Sequence, residues 1–384
     1  MRRASLVQAA VVLLPFLAAA PASAWDRGQT QTFAVVPNLP GNVPVNIEGL
    51  TVGPDGTVYT PSFGVNRNGP VAGPPHLFSF RPNGRLLNNV ALVNPVPVPA
   101  PQPSTILLGL VFQASSKTLL ICDLNQGMVW RADPTTGKSS VFMNTGLGSA
   151  SGLNGLTVDK AGNVYVSDSF QGVVWKTGPN GGTPTIFVSS QTLSPQAASG
   201  VILVPPFGAN GIEFNNEYTE MYVANTAYHS IVEVPLTPNS DGSVSVKGPA
   251  TVLTTGINAP DGIAIDRRDD LWVVANQEDE IDVVDPNAVD AFRHTAAKIV
   301  AKRGDFDGIS PNGSIEGLLF PASPAFSPDG KLLYVSNLAL YLPYAGVPEP
   351  AIDSPWTPEV KHYTIAAIRA DIPSLPAGND GGDR

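Results

Sequence analysis

The sequence predicts an all-β protein, a six-bladed β-propeller of four-stranded antiparallel blades closed by strands from the two chain ends. The first observation is a phrase that recurs six times: a short apolar strand, a tight turn and a second strand. The second is the spacing of the copies, 45 to 63 residues, which leaves room for four strands in each. The third is the content of 37 glycines and 38 prolines, which disfavours long helices.

Each copy begins with a predicted inner strand, here strand A of strands A to D. The six copies of strand A lie at 47–50, 108–111, 153–156, 209–212, 260–263 and 323–326. In four copies eleven residues separate a strand A position from an aromatic residue of strand B, as from Asn154 to Tyr165. The step is twelve from Asn210 to Tyr222. Such a tight register indicates structurally equivalent units.

Further strands complete the blades and close the ring. In the third copy, segments 172–176 and 184–188 have the apolar, β-branched composition of strands C and D. We expect segment 32–36 to pair with segment 360–365 in one mixed blade. The propeller is therefore predicted over residues 25–372, and the polar, Gly/Asp-rich segment 373–384 is predicted to be a disordered tail.

A secretory signal peptide is predicted over residues 1–24. Two arginines precede the apolar run 6–20, and Ala22 and Ala24 supply the small residues of a cleavage site. An uncleaved membrane anchor is the alternative, which the shortness of the run disfavours. No later segment has the length and hydrophobicity of a bilayer span, so we expect an exported protein, periplasmic or extracellular, with no stable membrane span after cleavage.

Composition excludes other classes. Hydrophobic residues make up 43% of the chain and charged residues 14%, which excludes intrinsic disorder. A net charge of −10 disfavours a nucleic-acid partner, because phosphates need a basic surface. Cys122 is the single cysteine, so no internal disulfide forms, and its place at a strand end predicts a small buried residue rather than a nucleophile.

Long connections predict which face of the propeller carries the function. Strands alternate in direction, so the B–C connections and the D–A connections lie on the same face. Most of the long irregular segments belong to these two sets: 61–75, 94–105, 191–208, 304–322 and 338–358. The C–D connections of blades 4 and 5 are exceptions. Because function concentrates on loops held by a rigid scaffold, we expect the site on this face.

The start of each strand A faces the central channel. The predicted ring of channel residues is Glu48, Gly109, Asn154, Asn210, Asp261 and Ser323. Converging carboxylate and amide oxygens suit a hard cation, calcium above all, and the absence of His and Cys from the ring disfavours zinc. The alternative is structural, since such residues before glycine also shape strand entrances. Four oxygen-bearing side chains in one ring favour metal, so Glu48, Asn154, Asn210 and Asp261 are the predicted ligands.

Several of these segments resemble the regucalcin/gluconolactonase family. In the first blade the residue is Glu48, and in the fourth it is the run Asn210-Gly211-Ile212. In the fifth blade the run 260–266 reads Pro-Asp-Gly-Ile-Ala-Ile-Asp and is followed by Leu-Trp-Val at 271–273. The run 154–159 resembles the family's third-blade motif. The family is a six-bladed propeller with one calcium or other divalent ion in its channel, and its members hydrolyse lactones. The resemblance implies that Glu48, Asn210 and Asp261 bind metal and that Asn154 binds metal or substrate.

Two other functions stay open at this point. The third blade also resembles NHL repeats, which implies a non-catalytic propeller that binds a protein or a glycan through its loop-rich face. A lyase on a similar propeller is the remaining alternative. The sequence has no match for the family's sugar-binding arginine.

A hydrolytic mechanism follows from the predicted ring. The cation would polarise the carbonyl of a small lactone or ester, and Asp261 would act as the catalytic base on water. His76 and His229 are alternative bases, because both are predicted on the rim of the same face; the structural reading of each is a solvated histidine.

The ends of the B strands add candidate substrate contacts. Asn225 and Asn276 end their strands on the functional face, and with Asn154 they are predicted to bind substrate. Asp168 and Asn337 occupy the corresponding positions in other copies. The alternative role of all these strand-end residues is to cap the strand and shape the following loop.

Overall fold

The secondary structure is composed of β-strands and short 3₁₀-helices. The computed structural model describes residues 28–66, 69–96, 105–200, 206–289, 296–341 and 355–370, so the predicted signal peptide 1–24 and tail 373–384 lie outside the described residues. The 3₁₀-helices are Gly148–Ala150, Gln191–Leu193, Asn276–Glu278 and Thr357–Glu359. Within these ranges no helix has the length and hydrophobicity needed to cross a membrane.

The strands form antiparallel meanders, numbered here by the order of their A strands. Meander 1 contains Thr51–Val52, Val58–Pro61, His76–Phe80 and Leu86–Ala91; meander 2 contains Leu107–Gln113, Thr118–Asp123, Met128–Ala132 and Ser139–Asn144; meander 3 contains Leu153–Val158, Val164–Asp168, Val173–Gly178 and Gly181–Ser189. A single parallel pair, Met143 opposite Gly182, joins meanders 2 and 3 into one eight-stranded sheet.

The remaining meanders follow the same order from strand A outward. Meander 4 contains Ala209–Phe214, Glu220–Asn225, Ser230–Pro238 and Thr251–Thr255, with Val244–Val246 paired to the end of its third strand; meander 5 contains Pro260–Ile265, Leu271–Ala275, Glu280–Asp285 and Lys298–Arg303; meander 6 contains Pro321–Phe326, Leu332–Asn337, Thr364–Arg369 and Thr30–Val35. Two small hairpins lie in connections: Val65–Asn66 with Gly69–Pro70, and Phe306–Ile309 with Ile315–Gly317.

Strands from the two ends of the chain pair in meander 6. Thr30–Val35 runs antiparallel to Thr364–Arg369, with Thr30 opposite Ile368 and Val35 opposite Thr364. The partners are those predicted from the sequence. The C-terminal strand begins at Thr364 rather than at residue 360, because the 3₁₀-helix Thr357–Glu359 occupies the approach to it.

The A strands form a closed ring. Each contacts the A strand of the next meander, and Pro321–Phe326 in turn contacts Thr51–Val52. The hydroxyl of Ser336 donates to the carbonyl of Glu48, which links the last meander to the first. This ring of meanders confirms the predicted all-β, propeller-like architecture.

Apolar side chains fill the space between adjacent meanders. Tyr165 of meander 3 packs edge-on against Phe214 of meander 4, with ring centroids 5.2 Å apart. Trp272 of meander 5 packs in the same way on Phe326 of meander 6, at 5.6 Å. Such face-to-face burial of sheets supplies the main stabilising free energy and makes the ring a rigid support for its loops.

Glycines allow the A strands to approach one another. A Cβ on Gly211 would lie 2.2 Å from the carbonyl oxygen of Asp261, and one on Gly155 would lie 2.9 Å from that of Asn210. No side chain fits between two backbones at such distances. Glycine after the channel residue is therefore a packing requirement at these two positions.

We expect Gly211→Ala to lower the free energy of unfolding by roughly 2–3 kcal/mol, because the new methyl group overpacks a backbone contact. Gly178→Ala is the matched control, since its Cβ meets nothing within 4 Å and its φ is not positive. Chemical denaturation measures both variants, and the control is expected to change by less than about 0.5 kcal/mol. Equal stability of Gly211→Ala and the wild type would contradict this account of the ring.

Candidate metal and substrate site

One cavity opens at the channel end of the A strands, on the face of the B–C and D–A connections. Its volume is about 90 Å³, room for several water molecules or part of a small ligand. Glu48, Asn154, Asn210 and Asp261, the four predicted metal ligands, all line it. The ring therefore brings together side chains that are up to 213 residues apart in the chain.

Two buried carboxyls dominate the electrostatics of the cavity. Glu48 is 4% exposed and its Oε2 is buried with no hydrogen-bond partner. Burial and the nearby charge of Asp261 raise the pKa of Glu48 well above its ordinary value. Burial likewise raises the pKa of Asp261 to about 8, although hydrogen bonds from Asn210 and Asn276 act in the opposite direction. Two close carboxyls with so little solvation favour a bound cation or a shared proton.

The amide of Asn154 is held in one orientation. Its Nδ2 donates to the hydroxyl of Ser169 at 3.2 Å, and that hydroxyl donates in turn to the carbonyl of Ala209 at 2.7 Å. Because the Ser169 proton is used, the hydroxyl can only accept from the amide. Oδ1 of Asn154 is thereby left as the acceptor for a cation or a ligand.

Asn210 repeats this arrangement in the next meander. Its Nδ2 donates to Oγ1 of Thr226 at 2.9 Å, and Thr226 donates to the carbonyl of Pro260 at 2.7 Å. In meanders 3 and 4, the residue that follows the end of strand B thus orients the amide of the asparagine at the start of strand A. Oriented side-chain oxygens reduce the cost of ordering a binding site.

Asn276 lines the cavity and holds the Asp261 carboxylate. Its Nδ2 donates to Oδ2 of Asp261 at 3.1 Å and to the carbonyl of Pro321 at 2.7 Å. The predicted contact between Asn276 and substrate stays a prediction. Its place in the cavity wall is compatible with that role and with positioning Asp261.

The side chain of Asn225 is hydrogen-bonded to the surrounding backbone. It is fully buried, its Nδ2 donates to the carbonyls of Thr192 and Ser194 at 2.8 and 3.1 Å, and its Oδ1 accepts from the amide of Tyr228. It is absent from the described cavity lining. These contacts make it a strand-end cap, and a substrate contact at Asn225 stays a prediction that this geometry does not favour.

Asp168 and Asn337 make similar capping contacts. Asp168 Oδ1 accepts from the backbone of Gly152 and Gln171 at 2.8 and 3.0 Å. Asn337 Oδ1 accepts from the backbone of Leu319 at 2.9 Å. The recurrent Asp or Asn at the end of strand B therefore ties that strand to the connection preceding strand A.

The two candidate histidine bases lie outside the described cavity lining. His76 is half-buried, with Nδ1 2.7 Å from Oδ1 of Asn89. His229 adopts a positive φ of 51° and accepts the backbone N–H of Ala259 at Nδ1, 2.9 Å away. A base role for either histidine stays a prediction, and Asp261 is better placed.

The structure corrects two positions of the predicted ring. Each glycine after a channel residue faces the carbonyl of the next channel residue, and Gly49 faces Leu108 whereas Gly262 faces Ala322. Leu108 and Ala322 are therefore the channel residues of meanders 2 and 6, not Gly109 and Ser323. The same bulge occurs at this point of strand A in meanders 2 to 6, so it does not distinguish these two positions. The prediction was wrong there because neither Leu108 nor Ala322 is a polar residue that marks the channel.

The donor set fits a hard cation. The described ranges contain no group of three or more His, Cys, Asp or Glu side chains placed to hold a metal, so a cation here must also use amide oxygens. Two carboxylates and two oriented amides match calcium, which takes six to eight oxygen ligands including waters. The unpartnered Oε2 of Glu48 is the observation on which this fit depends.

The family model described as the SMP-30/gluconolactonase/LRE-like region matches residues 100–301, more than half of the chain. The chain belongs to the SMP-30/gluconolactonase/LRE-like family. The match spans Asn154, Asn210 and Asp261, and it confirms the resemblance read from the sequence. A search of curated proteins gave no match.

Solved structures similar to this SMP-30/gluconolactonase/LRE-like protein share its fold at low identity. A luciferin-regenerating enzyme is 14% identical with a TM-score of 0.55, covering 89% of this chain and 97% of its own. Regucalcin, a calcium-binding protein from Agrobacterium tumefaciens, is 17% identical with a TM-score of 0.55, covering 89% and 98%. A putative gluconolactonase is 13% identical with a TM-score of 0.52, covering 92% and 95%.

Several cavity residues escaped the sequence analysis. Thr226, Gln277, Leu124 and Leu338 all line the cavity, and each directly follows an Asp or Asn at or immediately after the end of a B strand. The recurrence of this position, one residue after the Asp or Asn, was the signal in the sequence that could have identified these lining residues. It was missed because its residues differ in chemistry from one copy to the next.

For this SMP-30/gluconolactonase/LRE-like protein without cation, we expect the free energy of unfolding to fall as pH rises from about 4 to about 8. Glu48 and Asp261 have folded-state pKa values above those of the unfolded chain, so the folded protein binds more protons in this window. Their contribution is fully present below the unfolded pKa and is lost as pH rises through about 8, the folded pKa of Asp261.

Thermal unfolding in chelator at pH 5 and pH 8 measures this effect. Asp261→Asn is expected to reduce the difference in Tm between pH 5 and pH 8. This result would distinguish Glu48 and Asp261 from other buried carboxyls with a raised pKa, such as Asp123. A difference in Tm unchanged by Asp261→Asn would contradict the assignment.

Proposed function

We propose that this protein is a divalent-cation-dependent hydrolase of lactones or related esters, with calcium as its cation. The observation that carries the proposal is the pairing of Glu48, whose Oε2 has no hydrogen-bond partner, with Asp261 in one cavity. Family membership supports it, because the family's description includes gluconolactonase. We also propose that meanders 1 to 6 are six four-stranded blades, and that the chain is exported after cleavage of residues 1–24.

Glu48, Asn154, Asn210 and Asp261 would hold the cation. When bound, it supplies a positive charge that polarises the carbonyl of the substrate and stabilises the oxyanion. Beside such a positive charge, Asp261 would be ionised near neutral pH and could accept a proton. Ser169 and Thr226 keep the two amide oxygens directed to the cavity.

Asp261 is the proposed general base. Asn276 donates to Oδ2 and fixes the orientation of the carboxylate, which would accept a proton from the attacking water. That proton then passes to the leaving oxygen of the opened ring or ester. The apolar side of the cavity restricts bulk water, which strengthens these electrostatic interactions.

Cation-dependent turnover tests the proposal. Chelator-treated protein is assayed for proton release from a panel of lactones and aryl esters, before and after calcium is restored. We expect turnover only with the cation present. Saturable binding of a protein or glycan without turnover would instead favour the NHL-like alternative. A product of unchanged mass, without an added water, would favour a lyase.

A further inference from the structure

We propose that the substrate is a neutral lactone or ester with an apolar alkyl or aryl body, not a polyhydroxylated sugar lactone. This inference rests on the proposed function for the reaction, and on the lining of the cavity for the substrate class. The two halves of the cavity differ in chemistry, and that difference carries the argument.

Most polar residues of the lining lie on one side of the ring. The exceptions are Glu48, a polar residue of meander 1, and the apolar Pro206 and Phe207, which line the cavity from the connection before meander 4. Meanders 3 to 5 contribute Asn154, Asn210, Thr226, Asp261, Asn276 and Gln277. The opposite side, around meanders 6, 1 and 2, contributes an apolar wall composed of Phe63, Leu108, Leu124, Phe320, Leu338 and Leu340. A ligand whose carbonyl points to Glu48 and Asp261 therefore extends its other end over this wall.

The apolar wall is continuous with the hydrophobic core. Phe63, Leu108, Phe320 and Leu338 belong to one buried cluster, and Leu340 packs against it. All four are at most 9% exposed. Side chains packed in this way are fixed in position, so the wall presents a preformed apolar surface to a ligand.

Phe320 is held in a conformation that aromatic residues rarely adopt. Its φ is 43°, its backbone N–H donates to Oδ1 of Asp279 at 2.7 Å, and its carbonyl accepts from the backbone of Leu338 at 3.1 Å. Backbone strain of this kind persists where surrounding contacts enforce it, commonly at ligand sites. Asp279 is thus a positioning residue for one side of the wall.

The wall offers no partner to hydroxyl groups. No Lys, Arg or His side chain lines the cavity among the residues that the structure describes, and the six wall residues have no polar side-chain atom. A sugar hydroxyl placed there loses its hydrogen bonds with water without replacement. An alkyl chain instead gains affinity with each methylene that leaves water.

Binding of lactams tests the substrate class without turnover. The probes are 2-pyrrolidinone and its 5-alkyl derivatives, which keep the ring and carbonyl of a γ-lactone but resist hydrolysis. Calorimetry with calcium-loaded protein is expected to show affinity rising about fourfold per methylene until the cavity is filled. A polyhydroxylated lactam is expected to bind no better than unsubstituted 2-pyrrolidinone.

Variants of Leu340 assign the effect to the wall. Leu340 is half-buried at the rim, so Leu340→Ser is expected to fold, to lower the affinity of the longest alkyl lactam about tenfold and to leave 2-pyrrolidinone unchanged. Leu340→Met conserves volume and keeps the chain-length dependence. Leu87→Ser, at an exposed leucine of an outer strand, is the matched control.

Hydrolysis of the corresponding γ-lactones separates this proposal from the proposed function. Chain-length-dependent lactam binding without turnover of any lactone or ester would support the apolar site and overturn the hydrolase. Turnover of a sugar lactone equal to or better than that of alkyl lactones would support the hydrolase and overturn the apolar substrate. A lactam affinity that does not depend on alkyl chain length, or that Leu340→Ser does not change, would also overturn the proposed apolar substrate.

Discussion

Asp261→Asn is expected to lower kcat/KM for lactone hydrolysis by about 10³-fold or more, the loss typical of removing a general base together with a charged metal ligand. The substitution is isosteric, so the cavity keeps its shape. The amide cannot accept the water proton as a carboxylate does. In the native protein Nδ2 of Asn276 donates to Oδ2 of this carboxylate at 3.1 Å. An amide Nδ2 at that position of the variant is a second donor and cannot accept this hydrogen bond.

Calcium affinity distinguishes the two roles of Asp261. Retained binding with lost turnover assigns the residue as base, whereas loss of both assigns it mainly as ligand. Asp307→Asn, at an exposed aspartate outside the cavity, is the matched control and should behave as wild type. Wild-type turnover in Asp261→Asn would remove this residue from the mechanism.

Glu48→Gln is expected to weaken calcium binding at least 100-fold. The substitution removes one of two carboxylates, and the remaining ring oxygens cannot balance the charge of a divalent cation. Titration of calcium into chelator-stripped protein by calorimetry measures this directly. The wild type should show one saturable site, and Glu316→Gln, at an exposed glutamate, should match it.

The same variant is expected to be more stable than the wild type when no cation is present. Burial raises the pKa of Glu48, which means that ionising this side chain destabilises the folded cation-free protein. A neutral amide removes that cost. Thermal unfolding at pH 8 in chelator should therefore give a higher Tm for Glu48→Gln, and added calcium should raise Tm only in the wild type.

Absence of calcium binding by the wild type would make the polar ring a structural feature. The search would then turn to a protein or glycan partner for the loop-rich face. Binding that is retained in Glu48→Gln would show that the cation occupies another position.

The candidate site was predicted from the sequence where equivalent positions share a residue pattern. Asn154, Asn210 and Asp261 each precede a glycine in an apolar strand, and all three reach the cavity together with Glu48. The pattern failed at Leu108 and Ala322, where no polar residue marks the channel position. Asn225 shares the pattern of Asn276, but its amide is used by the carbonyls of Thr192 and Ser194.

The sequence by itself determined the all-β class, the repeating unit, the pairing of the chain ends and the choice of carboxylate and amide residues at the channel. These follow from alternating hydrophobicity, turn residues and the spacing of the copies, all of which can be read along the chain without knowledge of side-chain contacts. Only the tertiary structure decided which side-chain oxygens have no hydrogen-bond partner, how burial raises the pKa of Glu48 and Asp261, and that one side of the cavity is largely apolar. Those properties depend on contacts between meanders, where residues far apart in the chain exclude water from one another.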